Sequence, residues 1–458
     1  MRPRTYHLIT YGCQMNRSDS ERIRALLDSV GLAEVEEPEE AGLIVFNTCS
    51  VRQTAEDRVF GKLRDFEGLK RDGRSPIVAV TGCLPGRDQD RKIRSKMPSV
   101  DLYFPIRDLP QLPRWLAEVD LSLTSAAETP DDYLDIRPGD FRSRSAFVPI
   151  QTGCDKYCTY CVVPYARGRE RHRPVSAVLD EIRGRTAAGA VEITLLGQSV
   201  NGFRADDRSA FSRENPYTDD FAALLWEVNR IPGVERLHFT AAHPLHMSDE
   251  VIDALALPKH VNYLHLPVQS GSDEVLRRMN RRYTAGQYLE VIRKVRDRRP
   301  GIALGTDIIV GFCGETERQF QETVELYREA DFDISYTAMY SPRSGTAARK
   351  FLEDDVPREE KRRRWRELQR LMEVNTLRKN RSYLGQVVQV LVDSHAAGQL
   401  SGNSREMKRV RLPGKPDRIG ETMDVRIESV QEWQLIGQTA EGSAVPKETY
   451  GQEKATAA

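Results

Sequence analysis

Gly153-Cys154-Asp155-Lys156-Tyr157-Cys158-Thr159-Tyr160-Cys161 sets three thiols in a C-x3-C-x2-C array. Three thiolates on one short loop can hold three corners of a cubic [4Fe–4S] cluster, and with no fourth ligand following, one iron keeps an open position. A fully ligated cluster carries electrons, whereas an open iron can bind a substrate directly. The competing reading is zinc, which takes four ligands, usually as two separated pairs. The nearest fourth candidate is His172, on an arginine-rich segment.

The remaining cysteines are Cys13, Cys49, Cys83 and Cys313, and their odd total of seven and wide spacing argue against a disulfide framework. The N-terminus lacks the apolar core of a signal peptide, and no apolar run approaches the roughly 20 residues that span a bilayer. With a mean hydropathy of −0.54, the expectation is a soluble, cytoplasmic protein of a reducing compartment with no membrane attachment. Lys+Arg and Asp+Glu stand at 68 each, so net charge points to no nucleic acid. Basic residues crowd 277–299 and 358–381, so any RNA contact would be a local basic surface.

Outward from the triplet, residues 4–120 alternate short apolar runs (6–11, 43–47, 77–80) with amphipathic stretches (18–30, 54–66), the pattern of a parallel open sheet. Cys13, Cys49 and Cys83 each fall just past the carboxyl end of one of these strands. Such ends share one edge, where open sheets bind ligands. Singly, each cysteine reads as a small buried residue; three at equivalent ends, each beside glycine or a small polar residue, read as ligands of a second cluster with an open iron.

Residues 121–139 lack a clear period and read as a linker. Over 140–371, six strand-like runs (147–151, 192–196, 236–240, 263–268, 305–310, 333–340) alternate with helices. That implies a partial (β/α)6 barrel with its site at the strands' carboxyl ends. The triplet leaves the first strand there. Gln198 and Asn201 follow the second strand, His243 the third and Gln269 the fourth, while Asp307 lies on the fifth. His243 and His265 read equally as acid–base groups or as structural hydrogen-bonders. The arginines of 166–174 can bind RNA phosphate, offset cluster charge or form ordinary ion pairs. Cys313 reads as a free buried thiol.

A helix is expected over 357–381, with Trp365, Leu368, Leu371, Met372 and Leu377 opposite Arg362, Arg363, Arg366 and Arg370. Over 374–441, short runs at 387–392, 409–412 and 423–429 between glycines suggest a small antiparallel β-barrel. Residues 442–458 read as a disordered tail.

The triplet resembles the signature of the radical S-adenosylmethionine (SAM) superfamily, in which SAM chelates the open iron. Two cysteine triplets in this order resemble the methylthiotransferase family within it, and the likeness extends through most of the chain. Tyr11-Gly12-Cys13-Gln14-Met15-Asn16 and Asn47-Thr48-Cys49-Ser50-Val51-Arg52 match the branch acting on isopentenylated adenosine in tRNA. Branches acting on a ribosomal protein or on threonylcarbamoyladenosine usually carry other residues after the first cysteine, and those acceptors stand as the alternative. A non-enzymatic zinc RNA-binding protein is the remote one. Cys83-Leu84-Pro85-Gly86 departs from the commoner Gly-Cys-x-Ala-Gln run, and Cys313 stands where proline is more common.

The resemblance implies two [4Fe–4S] clusters, SAM, a C-terminal TRAM domain and a tRNA anticodon stem-loop as partner. It implies an electron donor and a sulfur or cluster donor besides, with a monomeric enzyme expected. Cys154, Cys158 and Cys161 would generate the radical, and the Cys13, Cys49 and Cys83 cluster would supply sulfur. Gln198, Asn201, Gln269 and Asp307 are expected near SAM or the target base.

Overall fold

The computed structural model describes residues 4–50, 53–71, 76–119, 130–139 and 143–440. The N-terminal unit runs β1 (Thr5–Tyr11), α1 (Gln14–Ser29), β2 (Ala33–Glu34), β3 (Leu43–Thr48), α2 (Gln53–Arg71), β4 (Ile77–Gly82), α3 (Cys83–Arg87), β5 (Leu102–Tyr103) and α4 (Leu112–Val119). Its sheet is wholly parallel in the order β2-β1-β3-β4-β5. The central strands β3 and β4 are buried at every residue, as a parallel sheet covered on both faces requires. Successive side chains serve opposite cores: Val45 and Ala79 pack with Ile23 and Leu27, while Ile44, Phe46, Val78 and Val80 pack with Val59 and Leu63.

The expected linker, residues 121–139, is described from residue 130 to its end. Residues 121–129 lie outside the described residues, and Tyr133, Leu134 and Ile136 bury in the first of those cores. The Tyr133 hydroxyl meets Thr152 Oγ1 at 3.0 Å. An aperiodic stretch still docks when its few apolar side chains find a groove.

The central unit comprises β6 (Ser145–Pro149), β7 (Gln151–Thr152), α5 (Val163–Arg167), β8 (Arg171–His172), α6 (Val175–Ala187), β9 (Glu192–Leu196), α7 (Asp220–Arg230), β10 (Arg236–Phe239), α8 (Asp249–Ala254), β11 (Tyr263–His265), α9 (Asp273–Arg278), α10 (Ala285–Arg298), β12 (Ala303–Val310), α11 (Glu317–Ala330), β13 (Ile334–Met339), α12 (Ala347–Phe351) and α13 (Arg358–Arg381). The expected strands form two parallel sheets, β10-β9-β6 and β11-β12-β13. A parallel bridge between Leu237 and His260 joins them, with Val261 N donating to Leu237 O at 2.9 Å. The outer strands β6 and β13 are not paired, so the barrel is open.

The C-terminal unit is a closed barrel of β14 (Val387–Ala396), β15 (Gln399–Ser404), β16 (Arg409–Pro413), β17 (Thr422–Val430) and β18 (Leu435–Thr439). It is antiparallel except that β16 and β18 close it in parallel. On α13 the buried face holds Lys361 and Arg364 beside Leu368 and Met372. Arg364 meets Glu315 at 2.8 Å and Lys361 pairs with Asp354. The expected apolar stripe is therefore part ionic. Among the described residues no helix is long and apolar enough to cross a membrane, and residues 442–458 lie outside them.

Candidate functional site

The register Tyr11–Thr48–Gly82 across β1, β3 and β4 brings the three lone cysteines to one sheet edge. Cys13 caps α1 in extended backbone, and its N–H and Sγ both lie near Asn16 Oδ1, at 3.3 and 3.4 Å. The Asn16 side chain donates to Asn47 Oδ1 at 3.1 Å, and Asn47 returns a bond to Asn16 O at 2.7 Å, locking the first two loops together. Gly82 has φ +98°, and a Cβ there would strike Thr48, so only glycine starts α3 this close to Cys49. Hydrogen bonding from the Cys49 thiol pulls Cys13 down to about 6, helped by the Arg167 charge against the opposing effect of burial. Burial pushes Cys83 up.

The triplet loop is held from several sides. Cys154 N donates to Gly168 O at 3.2 Å, and Gly153, with φ +76°, lacks the Cβ that would meet Arg169. Asn280 Nδ2 donates to the carbonyls of Lys156 and Tyr157 at 3.1 and 3.0 Å. Val163 N points at Cys161 Sγ at 3.5 Å, and Arg281 donates to Cys158 Sγ at 3.4 Å. Burial raises Cys154 to about 11 and Cys161 to about 12. The positive charge of a bound iron removes such protons.

Among the described residues no three His, Cys, Asp or Glu side chains group closely enough for one ion. A cubane instead spreads its ligands over separate irons. His172, the fourth ligand of the zinc reading, faces Glu170 at 3.4 Å and lies edge-on to Phe203. Thiol-only donors with N–H groups aimed at sulfur fit a thiolate-held cubane in both sets.

The two sets are joined through α3 and α5. A Cβ on Gly86 would run into the carbonyl of Ala166, so the backbones touch. One residue on, Arg167 Nε donates to Cys83 Sγ at 3.3 Å while Nη2 pairs with Asp19 at 2.5 Å. Of the other arginines of this segment, Arg173 is spent inside the protein on Glu181 (2.7 Å), while Arg169 and Arg171 pair at the surface with Asp155 (3.3 Å) and Asp132 (2.6 Å), their side chains 81% and 51% exposed. The geometry favours cluster support at Arg167 and ion pairing at Arg173, and leaves Arg169 and Arg171 accessible to an anion such as RNA phosphate.

The rim residues divide. Gln198 Oε1 is buried with no protein partner, as a ligand-facing amide would be. Asn201 has both ends of its amide committed: Nδ2 to His243 O at 3.0 Å, and Oδ1 from His243 N at 2.7 Å. Gln269 adopts φ +71° and bridges β12, accepting from Ile309 N at 2.9 Å. Asp307 lies 3.3 Å from His265 Nε2, and His265 Nδ1 meets the Tyr263 hydroxyl at 3.1 Å. His243 is held near 2 by burial and the Arg281 charge, so it stays neutral. Cys313 is a free thiol, buried between Phe312 and its neighbours.

His238, Tyr263, Gly305 and Tyr336 were not legible as site residues. A Cβ on Gly305 would collide with the Tyr263 hydroxyl, and Tyr336 stacks obliquely at 5.8 Å on His265. His238 lies 5.8 Å from the Tyr263 ring with neither nitrogen partnered. The available signal was period-two placement: Tyr263 and His265 pair with Ala303 and Gly305.

Family models match the Radical SAM superfamily over residues 148–327, the uncharacterized protein family UPF0004 over 5–105 and the TRAM domain over 381–440. A Clostridium botulinum (strain Okra / Type B1) protein named tRNA-2-methylthio-N(6)-dimethylallyladenosine synthase is 40% identical, covering 94% of this chain and 96% of its own length. The chain belongs to that synthase family. Synthases of the same name from Anoxybacillus flavithermus and Neisseria meningitidis are each 39% identical, over 96% and 94% of this chain and 83% and 98% of their own. A solved radical SAM methyltransferase, TsrM from Kitasatospora setae with cobalamin and a [4Fe–4S] cluster bound, shares the fold at TM-score 0.50 and 14% identity, covering 87% of this chain and 80% of its own. Membership in the radical SAM superfamily brings a [4Fe–4S] cluster and SAM as cofactors.

Proposed function

We propose that this chain replaces the C2 hydrogen of N6-isopentenyladenosine, immediately 3′ of the anticodon in tRNA, with a methylthio group. The relatives' printed names describe that product. The observation that carries it is the union of the two cysteine sets, because sulfur insertion needs a sulfur-bearing centre beside a radical source, and Arg167 reaches from α5 to Cys83 at 3.3 Å. That hydrogen sits on an sp2 carbon too weakly acidic for a side-chain base. A cluster held by Cys154, Cys158 and Cys161 would supply the electron that splits one SAM into methionine and a 5′-deoxyadenosyl radical, which takes the C2 hydrogen and leaves as 5′-deoxyadenosine, and a cluster held by Cys13, Cys49 and Cys83 would supply the sulfur, whose methyl comes from a second SAM that leaves as S-adenosylhomocysteine.

The chain's residues hold and shield these groups. Gln198 and Gln269 face SAM or the base, Asn201 braces the His243 loop, and Asp307 with His265 presents a polar edge. Tyr336, 56% exposed, offers a ring on which a base from the single-stranded anticodon loop can stack. The protein acts as a monomer in the cytoplasm, residues 374–441 engaging the anticodon stem-loop, with an electron donor and a sulfur or cluster donor as further partners.

Reconstituted protein, SAM, reductant and isopentenylated anticodon stem-loop should yield the 2-methylthio nucleoside. Iron analysis should give about eight atoms per chain. Absence of the product with both clusters present would redirect the enzyme to another acceptor, and zinc without sulfide would end the radical reading.

A further inference from the structure

The geometry points to Arg167 as a positioning residue that sets the electronic state of the sheet-edge cluster from within the radical domain. This rests on the ligation proposed above.

Arg167 and Asp19 have side chains only 2% and 1% exposed, and their 2.5 Å ion pair bridges α5 and α1. Asp19 accepts from both Nη2 and, at 3.4 Å, Nη1, which also points toward the Tyr133 hydroxyl at 3.5 Å. The remaining Nε–H is thereby fixed on Cys83 Sγ at 3.3 Å. A guanidinium presents its donors in a rigid fork, so anchoring two corners aims the third.

Hydrogen bonds to ligand sulfur and nearby positive charge favour the reduced form of a cluster and raise its potential. Burial strengthens both effects by removing water. The triplet has a counterpart, Arg281, which donates to Cys158 Sγ at 3.4 Å and to the Tyr283 hydroxyl at 2.9 Å. Each set thus has a buried arginine that donates to a thiolate of its own, so the two potentials are adjustable separately. Arg167 also comes from the element that begins two residues after Cys161, so displacement of the triplet loop would be felt at Cys83.

The test is potentiometric titration of reconstituted full-length protein, following each cluster by electron paramagnetic resonance. Arg167→Lys retains the charge facing Asp19 but loses the fork, and Asp19→Asn/Arg167→Met removes both charges so that no ion is left buried alone. Both variants should keep the wild-type iron content, lower the midpoint of the sheet-edge cluster and leave the triplet cluster's midpoint in place. Arg281→Lys should do the converse. Unchanged sheet-edge midpoints in both Arg167 variants, or equal shifts of both clusters, would overturn the assignment of Arg167 while leaving ligation intact. Wild-type protein binding only the triplet's cluster would overturn ligation and this inference together.

Discussion

Cys49 and Cys154 have separable jobs if the two sets hold separate clusters. Cys154→Ala removes a ligand of the open-iron loop, so 5′-deoxyadenosine should vanish from chromatographic assays. Cys49→Ala leaves that loop intact; SAM cleavage should continue while methylthiolated nucleoside disappears, and iron should fall to about four atoms per chain. Histidine supplies a second residue-scale prediction. His238 is 4% exposed and burial depresses it to about 3, so the folded chain keeps it neutral where the unfolded chain does not. Its contribution is complete above about pH 6.5 and is lost as pH falls toward the folded value, at about 1.4 kcal/mol per pH unit. His243 adds to the same slope. In urea titrations of the cluster-free chain, His238→Phe should flatten the decline between pH 6.5 and 4.5 by about that amount per unit. An unchanged slope would mean that the buried ring is already protonated.

Elements decide which of these features sequence alone could reveal. The sheet edge was legible because β1, β3 and β4 are short, apolar and bounded by turn residues, and a parallel sheet leaves their carboxyl ends no other place to go. The approach of α3 to α5 was not, since nothing in Cys83-Leu84-Pro85-Gly86 says what will lie against it. Yet the departure from the commoner Gly-Cys-x-Ala-Gln run falls at that contact: Gly86 stands where glutamine is commoner, and any Cβ there meets the Ala166 carbonyl. Gly86→Ala should therefore force α3 and α5 apart and cost about 1–3 kcal/mol, read as a lowered thermal midpoint. The same shift carries Cys83 away from Arg167, so this variant should also bind less iron. β15 and β18 escaped notice for a different reason: Gly402 and Gly437 interrupt their patterns, and both glycines admit a neighbouring backbone that a Cβ would hit.

At the scale of the whole molecule, the C-terminal barrel closes the amino-terminal end of the radical barrel, opposite the cluster loops. Arg236, 1% exposed on β10, pairs with Glu192 at 2.7 Å and donates to the carbonyls of Asn403 and Ser404 at 3.1 and 2.8 Å. Arg405 returns bonds to the carbonyls of Pro258 and His260 at 2.8 and 3.1 Å, and Met407 packs against Val261, Tyr263 and Ala303. Tyr263 in turn touches His265, which faces Asp307. A continuous set of contacts thus runs from the hairpin joining β15 and β16 to the barrel interior. An arginine in β10 looks from sequence like an ordinary polar break in a strand, and only the docked partner shows that its charge is fully used. Arg236→Ala leaves Glu192 buried without its ion and removes the bonds to two carbonyls of β15, a change of the kind that costs about 3–5 kcal/mol. In the Glu192→Gln/Arg236→Ala double variant, where no charge is left buried alone, the loss falls on the two bonds between units, so β14–β18 should lose hydrogen-exchange protection before β6–β13 do. Affinity for an anticodon stem-loop should fall with it, while cleavage of SAM without RNA continues at the wild-type rate. Simultaneous loss of protection across both barrels would show that Arg236 stabilises the radical barrel itself rather than the junction.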